Sequence, residues 1–315
     1  MIAKTDLYLC PICNGDSYKL YDGHDRVFSN PRAFQIQGCT NCGVIFTWPS
    51  LEWEEMKLFY PAEYNVGNQS QPLLPNIKQR HQRALLKTVK HHHDFIKDCG
   101  GYGKLLDIGC NMGHFLYGMQ QFGWQEIYGL EPSEAAAQYA EKSLGISIWR
   151  NLFPDIIGLP QQHFDVITMF HVFEHLHNPV EALATLHTLL APGGLCLINI
   201  PNPNCLERRV FGEKWCGFEV PRHYFTYPPD TFKQLAHENG FTVIADRYID
   251  HPLGSTLLSI RFALSDTNWL KWWLPVERLL SIGLIGKTLN PLFYILQKFG
   301  WGTSRAYVLK RASEL

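Results

Sequence analysis

The chain has little charge and almost no excess of either sign: 18% of its 315 residues are Asp, Glu, Lys or Arg, and 28 basic against 29 acidic side chains leave a formal charge of -1. That balance denies it the broad basic field on which nucleic-acid binding normally rests. Few charges alongside 46% apolar residues also exclude general disorder. Missing as well is any uninterrupted apolar run of the roughly 18 residues that a spanning helix needs; the richest stretch, 269–301, is cut by Arg278, Lys287 and Lys298. The opening MIAKTDLYLC carries no apolar h-region, so the expected compartment is the cytoplasm. No repeat or low-complexity tract occurs, and the length suits about two ordinary domains, which excludes a disulfide-stapled mini-protein.

Texture divides the chain into 1–50, 51–103, 104–250, 251–303 and 304–315. The first block is short-stranded and holds two Cys-x-x-Cys pairs, Cys10/Cys13 and Cys39/Cys42, with 25 residues between them. Each pair can form a knuckle whose thiolates face one ion, with Gly15 and Gly43 behind it, and four thiolates match a closed, structural, tetrahedral zinc site. A redox dithiol is the competing reading for one such pair, and spacing alone leaves iron open. Cys99, Cys110, Cys196, Cys205 and Cys216 are expected as buried small hydrophobes. Residues 51–98 read as helical, with Ile77, Leu85, Leu86, Val89 and Phe95 marking one long amphipathic helix. The adjacent His91, His92 and His93 point about 100° apart on it and are expected on a solvated face.

From 104 onward short apolar runs alternate with helical stretches. Strands are expected at 104–109, 126–131, 147–149, 164–170, 194–200 and 241–249. Helices are expected at 113–122, 134–144 capped by Ser133, 179–190 capped by Asn178 with Pro179 first, and Pro229–Asn239. This alternation predicts an α/β fold with a doubly wound parallel sheet, and RAYVLKRA at 305–312 suits an edge or antiparallel last strand. The 252–303 segment breaks the pattern. Its apolar residues are expected to cap the sheet or form an oligomer interface; a peripheral membrane contact through 269–301 is the other reading.

Strand KLLDIG runs into Cys110-Asn111-Met112-Gly113, giving Asp107-x-Gly109-x-x-x-Gly113, and Glu131 ends the next strand 22 residues after Gly109. Glycines at the carboxyl edge of a first strand admit a ligand close to the backbone, and the acidic residue is placed to accept from both hydroxyls of a ribose. The departure from Gly-x-Gly-x-x-Gly disfavours a pyrophosphate and favours a nucleoside without phosphates.

LLDIGCNMGHF, GLEPS, FDVITMFHVFEHLHNP and LLAPGGLCLINIPN together resemble the class I S-adenosylmethionine-dependent methyltransferases. CPIC, CTNCGVIF, FYPAEY and VPRHYFTYPPDTFKQLAHENGF resemble a bacterial subgroup with an N-terminal zinc ribbon, often associated with sugar, polysaccharide or secondary-metabolite pathways. The resemblance implies a mostly parallel seven-stranded Rossmann-like sheet with a small zinc-ribbon module, a helical lid over the cofactor within 51–103, and a helical C-terminal insertion. It implies S-adenosylmethionine as cofactor, with Asp107, Gly109, Cys110, Asn111 and Gly113 around its methionine portion. Glu131 would hold the ribose, Pro132 and Ser133 would border the adenine with Asn151 and Leu152 nearest its edge, and Phe170 and His171 would lie beneath the sulfonium. Tyr60 and Tyr64 are expected to close over it.

Methyl transfer is an in-line displacement that mainly needs alignment, and a base only if the acceptor must lose a proton. His171, His175 and His223 are the candidate bases, with hydrogen-bonded loop positioning as the alternative role for the His-x-x-Glu-His group. Arg222 is expected to meet an anionic or sugar-linked group, and Trp215, Phe218, Tyr224 and Tyr227 to wall the acceptor or fill core. The expected activity is methylation of a small or carrier-linked metabolite, oxygen favoured. An RNA methyltransferase gripping its substrate with the zinc ribbon, and a non-catalytic assembly protein keeping the fold, are the alternatives.

Overall fold

The computed structural model describes residues 8–28, 30–60, 72–250, 252–281, 292, 293 and 295–312; Tyr64, part of the FYPAEY match, and 282–291 of the apolar segment lie outside the described residues. Its strands in chain order are β1 (Ser17–His24), β2 (Ala33–Cys39), β3 (Ile45–Trp48), β4 (Leu105–Ile108), β5 (Ile127–Leu130), β6 (Ile148–Trp149), β7 (Phe164–Phe170), β8 (Leu190–Pro201), β9 (Phe225–Thr226), β10 (Phe241–Arg247) and β11 (Ser304–Arg311). The chain forms two compact units, each assembled from separated stretches. One takes Met1–Phe59, Ile200–Phe232 and Asp250–Arg305; the other takes Tyr60–Asn199, Lys233–Ile249 and Ala306–Leu315.

The second unit is built on a seven-stranded sheet of order β10-β11-β8-β7-β4-β5-β6. Strands β4–β8 pair in parallel, and β11 lies antiparallel to β10. All four residues of β4 are buried, because helices cover both faces of such a sheet and leave no polar side to alternate with. Parallel register sets Asp107 opposite both Gly129 and Thr168, and Phe170 opposite Asn199, so the carboxyl ends of four strands form one edge. Two local expectations need correction. Strand β8 starts at Leu190, directly where helix Pro179–Leu189 ends, and not at 194. Ser133 gives no side-chain cap to helix Glu134–Leu144, whereas Asn178 Oδ1 accepts from Glu181 N at 3.1 Å as expected.

Helix Gln79–Asp98 corrects a third expectation. His92 is buried, since it shares a face with Val89, Phe95 and Ile96. Its Nδ1 bonds the Thr88 carbonyl at 3.1 Å, and its ring meets Phe170 edge-on at 4.8 Å.

The first unit holds an antiparallel sheet of order β1-β2-β3-β9. Residues expected to form a self-contained block at 1–50 are therefore completed by the stretch after β8. Strand β9 pairs with β3, Thr47 Oγ1 donates to His223 O at 2.8 Å, and Tyr224 Oη donates to Leu51 O at 2.8 Å. Helices Leu206–Phe211 and Leu253–Leu264 are joined by the fully buried Glu207, whose carboxylate accepts from Ser259 Oγ at 2.6 Å and Thr256 Oγ1 at 3.0 Å.

Candidate functional site

Immediately after β4 the chain turns through Gly109 and Gly113, both at φ +75°, into helix His114–Gln121. A Cβ on Gly109 would come within 2.4 Å of Val172 Cγ2, and one on Gly113 within 2.8 Å of Leu144 Cδ1. The left-handed φ favours glycine at both positions apart from any ligand, and at Gly109 the β-branched Val172 of the following loop adds a steric demand. The bend is fastened to β5: Gly109 N and Cys110 N donate to Leu130 O at 2.7 and 3.1 Å. Asn111, at φ +48°, donates its N–H to Glu131 Oε2 at 2.9 Å, and Ser133 N donates to Glu131 Oε1 at 2.8 Å. Each carboxylate oxygen of the buried Glu131 so takes one backbone donor, and a carboxylate has about four acceptor sites in all. Burial raises the Glu131 carboxyl above its ordinary range, partly offset by those two donors.

Asp107 is buried beneath the bend and accepts from Thr168 Oγ1 at 2.7 Å. Burial pushes its carboxyl up to about 7; the Thr168 bond pulls it down and the charge of Glu131 pushes it up. A buried carboxyl held near neutrality by want of positive charge matches the ammonium of an amino-acid group, and the spare acceptor sites of Glu131 match a diol. The residues present therefore fit S-adenosylmethionine.

His171 follows the end of β7 at φ +56°, an uncommon conformation for a branched-ring residue, secured by its N–H to Asn199 O at 3.0 Å. Its half-exposed ring sits between two partners: Nδ1 is 3.2 Å from Oε1 of the fully buried Glu174, and Nε2 is 3.3 Å from Asn199 Nδ2. With Glu174 accepting and the amide donating, the pair fits a neutral imidazole carrying its proton on Nδ1. His175 turns elsewhere, its Nδ1 lying 2.9 Å from Tyr60 Oη.

The other expected cofactor residues are distributed as follows. Cys110 is buried, and a Cβ on Gly129 would meet its Sγ at 2.7 Å. Phe170 packs edge-on against Phe115 at 4.7 Å as well as against His92. Pro132 is exposed, Asn151 Nδ2 donates to Ile157 O at 3.2 Å, and Leu152 is exposed. Thr168 and Asn199, which bond Asp107 and His171 respectively, are not among the expected site residues. Their signal was available: each is a polar residue inside an otherwise apolar run, at the end where the sheet presents its edge.

In the first unit the four sulfurs of Cys10, Cys13, Cys39 and Cys42 lie within 4.8 Å of one another. Cys10 and Cys42 approach to 3.7 Å, Cys13 and Cys39 to 3.5 Å, and Asn41 N and Cys42 N donate to Cys39 Sγ at 3.3 and 3.4 Å. Burial raises Cys10 to about 11 and raises Cys42 further. At Cys13 burial is outweighed by donors from Gly15, Asn41 and the neighbouring thiols, which hold it down to about 6. Burial thus works against the thiolate form at Cys10 and Cys42, a cost that a central divalent cation offsets. The donor set fits tetrahedral zinc.

His223 belongs to this first unit; it is buried, with Nδ1 2.8 Å from Gly217 O. Arg222 has no guanidinium group to spare for a substrate anion: it is fully buried and donates to the protein's own Asp25 Oδ1 at 2.9 Å, Glu219 Oε1 at 2.8 Å and Phe59 O at 3.0 Å. Trp215, Phe218, Tyr224 and Tyr227 are likewise interior side chains of the unit, with Trp215 edge-on to Phe218 at 5.1 Å.

Comparison with known proteins agrees with the sheet and its edge. A family model described as a methyltransferase domain matches residues 77–246. The ubiquinone biosynthesis O-methyltransferase of Ruegeria pomeroyi is 34% identical over 199 residues, covering 60% of this chain and 73% of that protein. The tRNA U34 carboxymethyltransferase of Desulfotalea psychrophila is 29% identical over 182 residues, 55% of this chain and 54% of that protein; against several such curated relatives the chain spans about half their length. Among solved structures, a sarcosine dimethylglycine methyltransferase candidate from Galdieria sulphuraria shares the fold at TM-score 0.51 and 14% identity, covering 84% of this chain and 99% of that one. The domain match spans more than half of the sequence and includes the glycine bend, Glu131 and the His171 rim, and on that ground the chain belongs to the class I S-adenosylmethionine-dependent methyltransferase family.

Proposed function

We propose that the protein transfers a methyl group from S-adenosylmethionine to a hydroxyl oxygen of a small or carrier-linked metabolite, with His171 as general base. The observation that carries this reading is the His171–Glu174 pair at the carboxyl rim of the sheet, beside the bend that holds Asp107 and Glu131. Bound S-adenosylmethionine supplies an electrophilic methyl on positive sulfur. The chain's part is to orient and to move one proton. Asp107 offers a carboxylate to an ammonium, and Glu131 offers acceptors to a ribose. Glu174, a positioning residue, fixes the Nδ1–H tautomer so that Nε2 exchanges its long amide bond from Asn199 for an acceptor hydroxyl and takes its proton. Gly109, Cys110, Asn111 and Gly113 form the wall nearest the amino-acid portion, Pro132, Ser133, Asn151 and Leu152 that nearest the base, and Phe170 the floor. His175, paired with Tyr60, and His223 are the other candidates.

Cys10, Cys13, Cys39 and Cys42 would hold one zinc ion; with all four positions filled by protein it would cross-link the first unit and leave water unactivated. The name of the Ruegeria relative supports oxygen as the acceptor atom. The name of the Desulfotalea relative favours a second reading, an RNA acceptor, against which the near-zero charge weighs.

The test incubates the protein with methyl-labelled S-adenosylmethionine and an extract of its host separated into small-molecule and RNA fractions. Label is expected in the small-molecule fraction, and His171→Ala should lower its rate by about 10²–10⁴, far more than it weakens calorimetric cofactor affinity. Label confined to RNA, or full activity in His171→Ala, overturns the assignment.

A further inference from the structure

Helix Leu270–Ser281 departs from the usual arrangement in which large apolar side chains face inward. Trp269 and Trp272 are each 68% exposed, Leu279 52% and Val276 44%. At 3.6 residues per turn these four positions fall within about 80° of one another, a stripe turned to solvent, while Leu274, 38% exposed, lies on the opposite side of the helix. The inward side is carried instead by the buried Glu277 with the half-buried Trp273 and Leu280. Further along the same unit Leu292, Ile295 and Phe299 are exposed too.

The charges of the helix itself that no partner engages are of one sign. Lys271 and Arg278, seven residues apart and hence on one flank, are exposed and have no ion-pair partner among the described residues. The helix's one acidic side chain, Glu277, is already held by Arg261 through bonds of 2.9 and 2.6 Å. Asp266, before the helix, lies 3.9 Å from His24. An apolar stripe rich in tryptophan with an unmatched basic flank is the pattern of a helix lying in a lipid–water interface, where indole rings sit at headgroup depth and Lys or Arg meets anionic headgroups. No helix among the described residues is long and apolar enough to cross a membrane.

We propose that the Trp269–Leu279 face is a docking surface for an anionic lipid bilayer. A second copy of the chain is the weaker occupant. Antiparallel pairing of two such stripes would set Lys271 and Arg278 of both copies along the same side, with Glu277 already engaged by Arg261, and parallel pairing would leave the basic flanks without acidic partners. A bilayer carrying phosphatidylglycerol satisfies stripe and flank at once, and single basic residues near such a surface contribute measurably.

The test uses the full chain with phosphatidylcholine vesicles containing or lacking about 30% phosphatidylglycerol, read by co-sedimentation and by quenching of tryptophan emission with brominated acyl chains. Binding is expected only with the anionic lipid. The double variants Trp269→Ser/Trp272→Ser and Lys271→Glu/Arg278→Glu should each bind at least about tenfold more weakly, and raised salt should release the wild type. Since all four side chains are exposed, both variants should keep the wild-type circular dichroism; a variant that fails this is replaced by its single substitutions. Absence of binding to anionic vesicles, variants that bind as the wild type does, or a dimer that Trp272→Ser dissociates and that ignores lipid would each overturn the proposal.

Discussion

The bend that carries Asp107 and Glu131 and the cluster that carries the four cysteines are built on opposite plans. Asp107, Gly109, Asn111, Gly113, Glu131 and Ser133 lie within 27 consecutive residues, and the bonds between them span at most 20 positions, with Asp107 reaching beyond the stretch to Thr168. The cysteine unit closes through contacts across the length of the chain: Asp25 to Arg222, Thr47 to His223, and Thr231 Oγ1 to Cys42 O at 2.7 Å. A local site tolerates loss of any one bond because the sheet already fixes its frame. A site assembled from distant stretches depends on each long-range tie and on whatever bridges its thiolates.

The difference can be broken most severely at the cysteines. If the four thiolates hold zinc as proposed, Cys39→Ser should release it and remove folding energy on the order of 10 kcal/mol, enough to melt the first unit. Metal content by mass spectrometry and a calorimetric scan check this, with cofactor affinity of the second unit expected to persist; a variant retaining both metal and melting profile dismisses the closed site. Next in size is Arg222→Ala, which strands the fully buried Asp25 and should cost about 3–5 kcal/mol in urea denaturation. A shift under about 1 kcal/mol would mean that this tie does not close the unit.

The smallest effect is a pH dependence at Asp107. Its folded carboxyl titrates near 7 against an unfolded value near 3.8. Without ligand the folded state therefore binds the proton more tightly, so this group's stabilising contribution is full below about 3.8 and is lost as pH rises toward 7. Binding a cationic amine requires the anion. Cofactor affinity measured by calorimetry should fall by up to about tenfold per pH unit below 7 and level off above it, and Asp107→Asn should flatten the curve. An equal slope in the variant would assign the titration elsewhere.

The contrast also explains what could be read from the sequence. Sheet alternation, the glycine bend and Glu131 were legible because strand, turn and helix are local patterns, and the two Cys-x-x-Cys pairs because ligand spacing is. Ser133 stands at the N-cap position that the sequence points to, yet its side chain makes no cap bond and its backbone N–H serves Glu131. His92 was misjudged because a run of three histidines hides that one of them shares the face of Val89 and Ile96. Arg222 beside His223 has the composition of an anion site, and only the fold reveals that its guanidinium is spent on Asp25, Glu219 and Phe59. No periodicity marks a partner 197 positions away.

The reach from Asp25 to Arg222 has a consequence for the order in which the protein is made. At about 5–20 residues per second, the segment bearing Asp25 and all four cysteines leaves the ribosome about 10–40 s before its arginine does. For that interval its thiols stand in a nascent chain that lacks strand β9 and the guanidinium of Arg222, so the amino-terminal strands wait without the ties that close their unit.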